Sequence, residues 1–150
     1  MKKSHTGGFT LLELLIALAI IAIIAAILIP NFFATTDRAR LRSDIQSARV
    51  IQSAIELYRA ERNAEPAGIV PAGGGAPNAQ AIVDHLYNAD FLNSNSAPQT
   101  EGAVWAWDTT RRAVVVNIAG STSDGVHDAF RRLSETEQRY VTGGRGASND

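Results

Sequence analysis

Residues 9–29 read FTLLELLIALAIIAIIAAILI. Nineteen of these 21 residues are hydrophobic, and the exceptions are Thr10 and Glu13. As a helix rising about 1.5 Å per residue, the stretch spans about 30 Å, the thickness of a bilayer hydrocarbon core. No Gly or Pro interrupts it before Pro30. A cleaved secretory signal has a shorter apolar region, about 7–15 residues, with a small-residue cleavage site behind it. Here the run is longer, and Pro30-Asn31-Phe32-Phe33 follows it. The stretch reads as a membrane-spanning helix.

The remainder of the chain is a different material. Over all 150 residues the hydrophobic content is 45%; outside residues 9–29 it falls to about 38%, below the usual globular range. That leaves one modest polar domain, too short for two independent cores. Fourteen Lys+Arg against 15 Asp+Glu give a net charge of -1, so there is no basic excess to drive generic DNA or RNA binding. The absence of Cys excludes disulfides, thiolate zinc sites and cysteine nucleophiles. Lys2 and Lys3 lie in the first eight residues, and every later basic residue is Arg.

Glu13 is the anomaly. A carboxylate at the centre of a span costs about 2.5–3.5 kcal/mol, and less near an interface. Such a residue usually has a partner. Lys2 and Lys3 are the nearest cations in the chain. A cut between Gly8 and Phe9 would supply a better one: an α-amino group one helical turn from Glu13, or within reach of the Glu13 of a neighbouring subunit.

Lys2-Lys3-Ser4-His5-Thr6-Gly7-Gly8 followed by Phe9-Thr10-Leu11-Leu12-Glu13 resembles the class III signal of type IV pilins and type II secretion pseudopilins. The resemblance covers roughly the first 60 residues. It implies a prepilin peptidase that cuts after Gly8 on the cytoplasmic face and methylates the new Phe9 amine. Glu13 then falls fifth and Pro30 twenty-second in the mature chain, as in the family. The implied partners are that peptidase, copies of the chain and related pilins in a helical filament, an inner-membrane assembly platform, and the bilayer before assembly. The implied location is a single-pass inner-membrane protein with its leader cytoplasmic and its body outside, then a periplasmic or cell-surface filament. The positive-inside rule points the other way: Arg38, Arg40, Arg42 and Arg49 outnumber Lys2 and Lys3. The orientation adopted is the one the resemblance implies.

Pro30 lacks an N–H and clashes with the preceding turn, so it kinks or opens a helix without necessarily ending it. Beyond it, Leu41, Ile45, Ala48, Ile51, Ile55 and Tyr58 recur at helical steps, with Arg38, Arg42, Asp44, Arg49, Glu56 and Arg59 on the other faces. This predicts one long helix over about residues 9–63. Its second half carries an apolar stripe; its first half has only lipid or identical copies to pack against. Ala17, Ala19, Ala22, Ala25 and Ala26 permit close approach of such helices. A heterologous contact repeated with a rise produces an open filament, in which Glu13 would set docking and register.

Residues 64–76 read as loop; Gly73 to Gly75 lack the Gly-Lys-Ser/Thr ending of a phosphate cradle. Asn78 is placed to cap a helix running to Tyr87. Val104–Asp108 and Arg112–Ile118 read as a hairpin about Thr109-Thr110-Arg111, with Trp105 and Trp107 on one face for core or interface. Val126, Ala129, Phe130 and Leu133 have helical spacing, with Asp124 near the start. Residues 143–150 read as a disordered tail. The expected fold is α+β and pilin-like: a long N-terminal helix, its second half packed on a small antiparallel sheet and short helices. The expected divisions are a leader at 1–8, a transmembrane and filament-core helix at 9–29, a globular domain at 30–142 and the tail. Residues 78–118 resemble a major-pseudopilin or competence-type body.

Catalytic, metal and cofactor sites are not expected. His85 and His127 stand beside Asp84 and Asp128, but neighbours in a helix point about 100° apart, so the histidines read as polar surface residues. No hydrolase or zinc motif occurs. Ser121, Asp124 and Asp128 offer oxygen ligands for calcium, although helix capping accounts for them. The function expected is a structural filament subunit, pilus or pseudopilus. The alternative is a minor or competence pilin that binds DNA or another surface ligand through Arg111, Arg112 and the tryptophans.

Overall fold

The computed structural model describes residues 9–69 and 76–144, and every side chain among them except those of residues 29–31, 33 and 34. The expected leader, the Gly73–Gly75 loop and the tail from residue 145 onward lie outside the described residues.

The first helix, α1, runs over Leu11–Arg62, two residues inside its expected start and one inside its end. It continues through position 30, where Pro30 was expected to kink or open the helix; the Pro30 side chain is outside the description. The chain forms two compact units, Met1–Phe33 and Ala34–Asp150. In the first, Leu11–Leu28 has a mean hydropathy of 3.1 and none of it is buried.

In the second unit, α1 presents Leu41, Ile45, Ala48, Ile51 and Ile55 to the core, each at most 4% exposed. Burying each large aliphatic chain stabilises by about 1.5–3 kcal/mol. Helix α2 spans Ala79–Asn88, and Asn78 Oδ1 accepts the Ala81 N–H at 3.1 Å, the expected cap. Ile82, Val83 and Leu86 face inward from it. Strands β1 (Val104–Asp108) and β2 (Ala113–Asn117) pair antiparallel, with Trp105 opposite Val116 and Trp107 opposite Val114. Helix α3 covers Asp124–Arg131 and a one-turn α4 covers Glu135–Gln138.

The sheet departs from the expected antiparallel form in one respect. Strand β3, Val141–Thr142, joins β2 in parallel and gives the order β1-β2-β3. Val116 N–H donates to Tyr140 O at 2.8 Å, and Ile118 N–H to Thr142 O at 2.9 Å. Two residues carry no alternation, so β3 has no sequence signal of its own. It is created by where α3 and α4 return the chain.

Asp44, off the apolar stripe by its helical position, is buried all the same. The residue is 2% exposed, and its carboxylate accepts the Gln99 N–H (Oδ1) and the Thr100 N–H (Oδ2), both at 2.8 Å. A buried carboxylate is tolerated where backbone donors replace water, and here it ties the segment before β1 to α1.

Candidate functional site

The head of α1 holds the residues singled out for processing and assembly. Phe9 is 82% exposed, and Gly8 lies outside the described residues. Thr10 precedes the helix and Glu13 is its third residue. Thr10 Oγ1 accepts the Glu13 N–H at 3.2 Å, while Glu13 Oε2 accepts from Thr10 N (2.9 Å) and Thr10 Oγ1 (3.0 Å). This reciprocal pair is a capping box, which satisfies helix-end donors that have no partner within the helix. Sequence reasoning sought only an amine for Glu13 and missed Thr10, although Thr-x-x-Glu ahead of an apolar run is the signature of such a cap. Both bonds from Thr10 converge on Oε2, and among the described residues the Oε1 atom of Glu13 takes none.

The surfaces proposed for ligand binding are engaged within the chain. Arg111 Nη1 lies 2.6 Å from Asp108 Oδ2, and Arg112 Nη2 lies 2.7 Å from Glu65 Oε1. Glu65 Oε2 also takes Arg59 Nε at 2.7 Å, so one carboxylate ties α1 to the hairpin turn. Burial pushes the Asp108 carboxyl up, but bonds from the Arg111 backbone and side chain, from Thr110 N–H, and the Arg111 charge outweigh it and leave the group lowered. Trp105 is 8% exposed and donates its Nε1–H to Ser96 O at 3.0 Å. It is a core residue, as one of the two expected readings had it. A concavity of about 430 Å³ beside it is lined by Ser43, Ser47, Val50, Phe91 and Ser94 among others.

The histidines need a correction. His127 is buried, with Nε2 3.2 Å from Ser121 O, and is not a surface residue. His85 is half-buried, with Nε2 3.0 Å from Tyr58 Oη. Their acidic neighbours point elsewhere: Asp84 accepts from Gln80 and Asn95, and Asp128 pairs with Arg131. Ser121 Oγ, weighed as a calcium ligand, accepts the Ser123 N–H at 3.4 Å.

Residues 3–29 match the model of the prokaryotic N-terminal methylation motif. The competence protein ComGC of Streptococcus pneumoniae is 30% identical over 90 residues, covering 59% of this chain and 82% of ComGC. The chain belongs to the type IV pilin and pseudopilin family. The major component PilA4 of the Thermus thermophilus type IV wide pilus is 45% identical over 62 residues, 39% of this chain and 45% of PilA4. Type II secretion system core protein G of Aeromonas hydrophila is 27% identical over 66 residues, 44% of this chain and 46% of that protein. The chain thus spans less than half the length of these two pilins. No solved structure matches it. Among the described residues, one helix is long and apolar enough to span a bilayer.

Proposed function

We propose that the chain is a structural filament subunit with no catalytic role, matured by a prepilin peptidase that cuts after Gly8 and methylates the Phe9 amine. The observation that carries this reading is the apolar window Leu11–Leu28, wholly unburied within the chain and headed by Glu13. An apolar surface of that extent needs a cover. Lipid supplies it before assembly, with the leader cytoplasmic and the body outside; neighbouring copies supply it in the filament. The chain then divides by use into leader (1–8), anchor and filament core (9–29), globular domain (30–142) and tail (143–150). Pro30 marks the passage from core to domain.

Glu13 serves as the docking residue. Its Oε2 is held by Thr10, which leaves Oε1 for the methylated Phe9 amine of a subunit already in place. In hydrocarbon that pairing is favoured because the alternative is an uncompensated charge. The assembly platform of the inner membrane and related pilins complete the set of partners. Mass spectrometry of the membrane-extracted protein, from cells that express the peptidase, tests the reading: the expected terminus is N-methyl-Phe9, and an intact Met1 terminus would sink it.

A second reading, a competence pilin that holds DNA, draws support from the likeness to ComGC. The ion pairs of Arg111 and Arg112 weigh against those two residues as its DNA contacts.

A further inference from the structure

Within the second unit, one face of α1 is turned away from the core and carries no charge. Ser43, Gln46, Val50, Ser53, Leu57 and Ala60 recur at steps of 3 and 4 along it, and all are exposed. Arg42, Arg49, Glu56 and Glu61 stand to either side of that line, never on it. Ser47 Oγ donates to Ser43 O and Ser53 Oγ to Arg49 O, both at 3.1 Å. These hydroxyls are satisfied on the helix itself and need no water. An uncharged line of this period is the pattern by which one helix packs on another.

The concavity of about 430 Å³ opens beside this line, with Ser43, Gln46, Ser47 and Val50 as its helical wall. Residues so spaced around a helix form the kind of hole that receives a side chain from a facing helix. Phe91, Leu92 and Trp105 make the opposite wall apolar. Val50 belongs to the hole, so Leu57, 50% exposed, is the large apolar side chain of the line left to fill one. It does not line the hole of its own chain, because it stands about ten residues, or about 15 Å, further along the helix. A knob and a hole on one surface that cannot meet within a chain can meet between two copies.

We infer that Leu57 of one copy fills the concavity between Ser43 and Phe91 of the next, the two α1 helices running parallel and displaced by about ten residues. This rests on the filament reading above, which gives all copies one direction. With the helices in register, Glu56 and Glu61 of both copies would lie together, and like charges oppose that packing. Displacement instead carries the exposed Glu61 toward Arg42 and Arg49 of the neighbour. The Arg42 side chain is 55% exposed and stands 3.7 Å from Glu137 Oε1, so it has room for a second carboxylate. Knob and hole lie at different heights, so the contact is heterologous and each copy offers the next the same hole.

The chain has no Cys, so introduced thiols report alone. Sheared filaments of S47C/L57C are oxidised and separated without reductant. The expected result is a ladder of dimers, trimers and higher species, with neither S47C nor L57C alone forming dimers. L57D, at an exposed position, should keep the Tm of the unsubstituted chain and lower filament yield by about tenfold or more. Dimers from L57C alone would place the copies in register. Filaments of S47C/L57C without cross-links would mean that something other than a second copy covers this face. Normal filament yield from L57D would leave the knob without a use. Each of these three results overturns the inference while the filament reading stands. Failure of the unsubstituted chain to form filaments would defeat both.

Discussion

Asp44 on α1 accepts the backbone N–H of Thr100 at 2.8 Å, across 56 positions of sequence. The same carboxylate takes the Gln99 N–H at 2.8 Å, so a single buried side chain sets where the segment leading into β1 meets the helix. Asp44→Ala leaves the buried Thr100 N–H and the part-buried Gln99 N–H without their acceptor and should cost about 1–3 kcal/mol. Asp44→Asn presents one acceptor oxygen in place of two and should cost less. Thermal unfolding of the full chain in micelles, followed by near-ultraviolet circular dichroism of Trp105 and Trp107, measures both; an unchanged Tm for Asp44→Ala would contradict the anchoring role.

Capping and docking at the head of α1 are separable. Thr10→Ala removes the cap and should fray the first turn at a cost of about 1 kcal/mol, with filaments still formed. Glu13→Val should leave membrane insertion and cleavage largely intact and stop incorporation into filaments. Sheared-filament yield beside N-terminal processing reads the two effects. Normal filaments from Glu13→Val would refute its docking role.

Acid should loosen the globular domain. The Glu137 carboxyl is lowered from 4.5 by Ser134 N–H, the Ser134 hydroxyl and the charges of Arg42 and Arg49. Asp108 is lowered from 3.8 by its bonds from Arg111 and Thr110, which prevail over burial. Asp128 is lowered from 3.8 by the hydrogen bond and charge of Arg131. A carboxyl depressed in the folded state contributes stability that is full above its unfolded value and lost as pH falls through the folded one. Tm should therefore hold at neutral pH and decline below about pH 4.5. Glu137→Gln/Asp108→Asn should shallow that decline, and an identical acid limb in this variant would count against the assignment.

The approach of two loops depends on a residue without a side chain. Gly102 has φ +68°, and a Cβ placed there would stand 2.5 Å from Gly120 O. Gly102→Ala is therefore both strained and blocked by backbone, and should cost about 1–3 kcal/mol. Val50→Ala, at a side chain 59% exposed, should stay within about 0.5 kcal/mol. Denaturant midpoints of the two variants should differ clearly; equal midpoints would disprove the close contact.

DNA binding through the hairpin turn is expected to be absent. Arg111 and Arg112 already pair with Asp108 and Glu65, so Arg111→Ala/Arg112→Ala should leave any low-salt DNA affinity unchanged. A salt-dependent affinity lost in that variant would revive the competence reading.

What the chain reveals unaided is what is periodic or local. The apolar run 9–29, the stripe from Leu41 to Tyr58, the Asn78 cap and the β1–β2 hairpin all follow from steps of 2 or 3.6 and from capping chemistry, and they stand as expected. The Thr10–Glu13 box is equally local and legible in Thr-x-x-Glu, although a carboxylate in an apolar run points first to an amine. Only tertiary structure decided the rest. Asp44 sits at a helical position off the apolar stripe, and it is buried because two N–H groups 55 and 56 residues away reach it. His127 is covered because α3 turns it toward Ser121 O, and β3 exists because α4 delivers two residues to the free edge of β2. Each depends on a partner far along the chain. The free energy of such a contact belongs to the pair, and neither residue alone carries a sign of it.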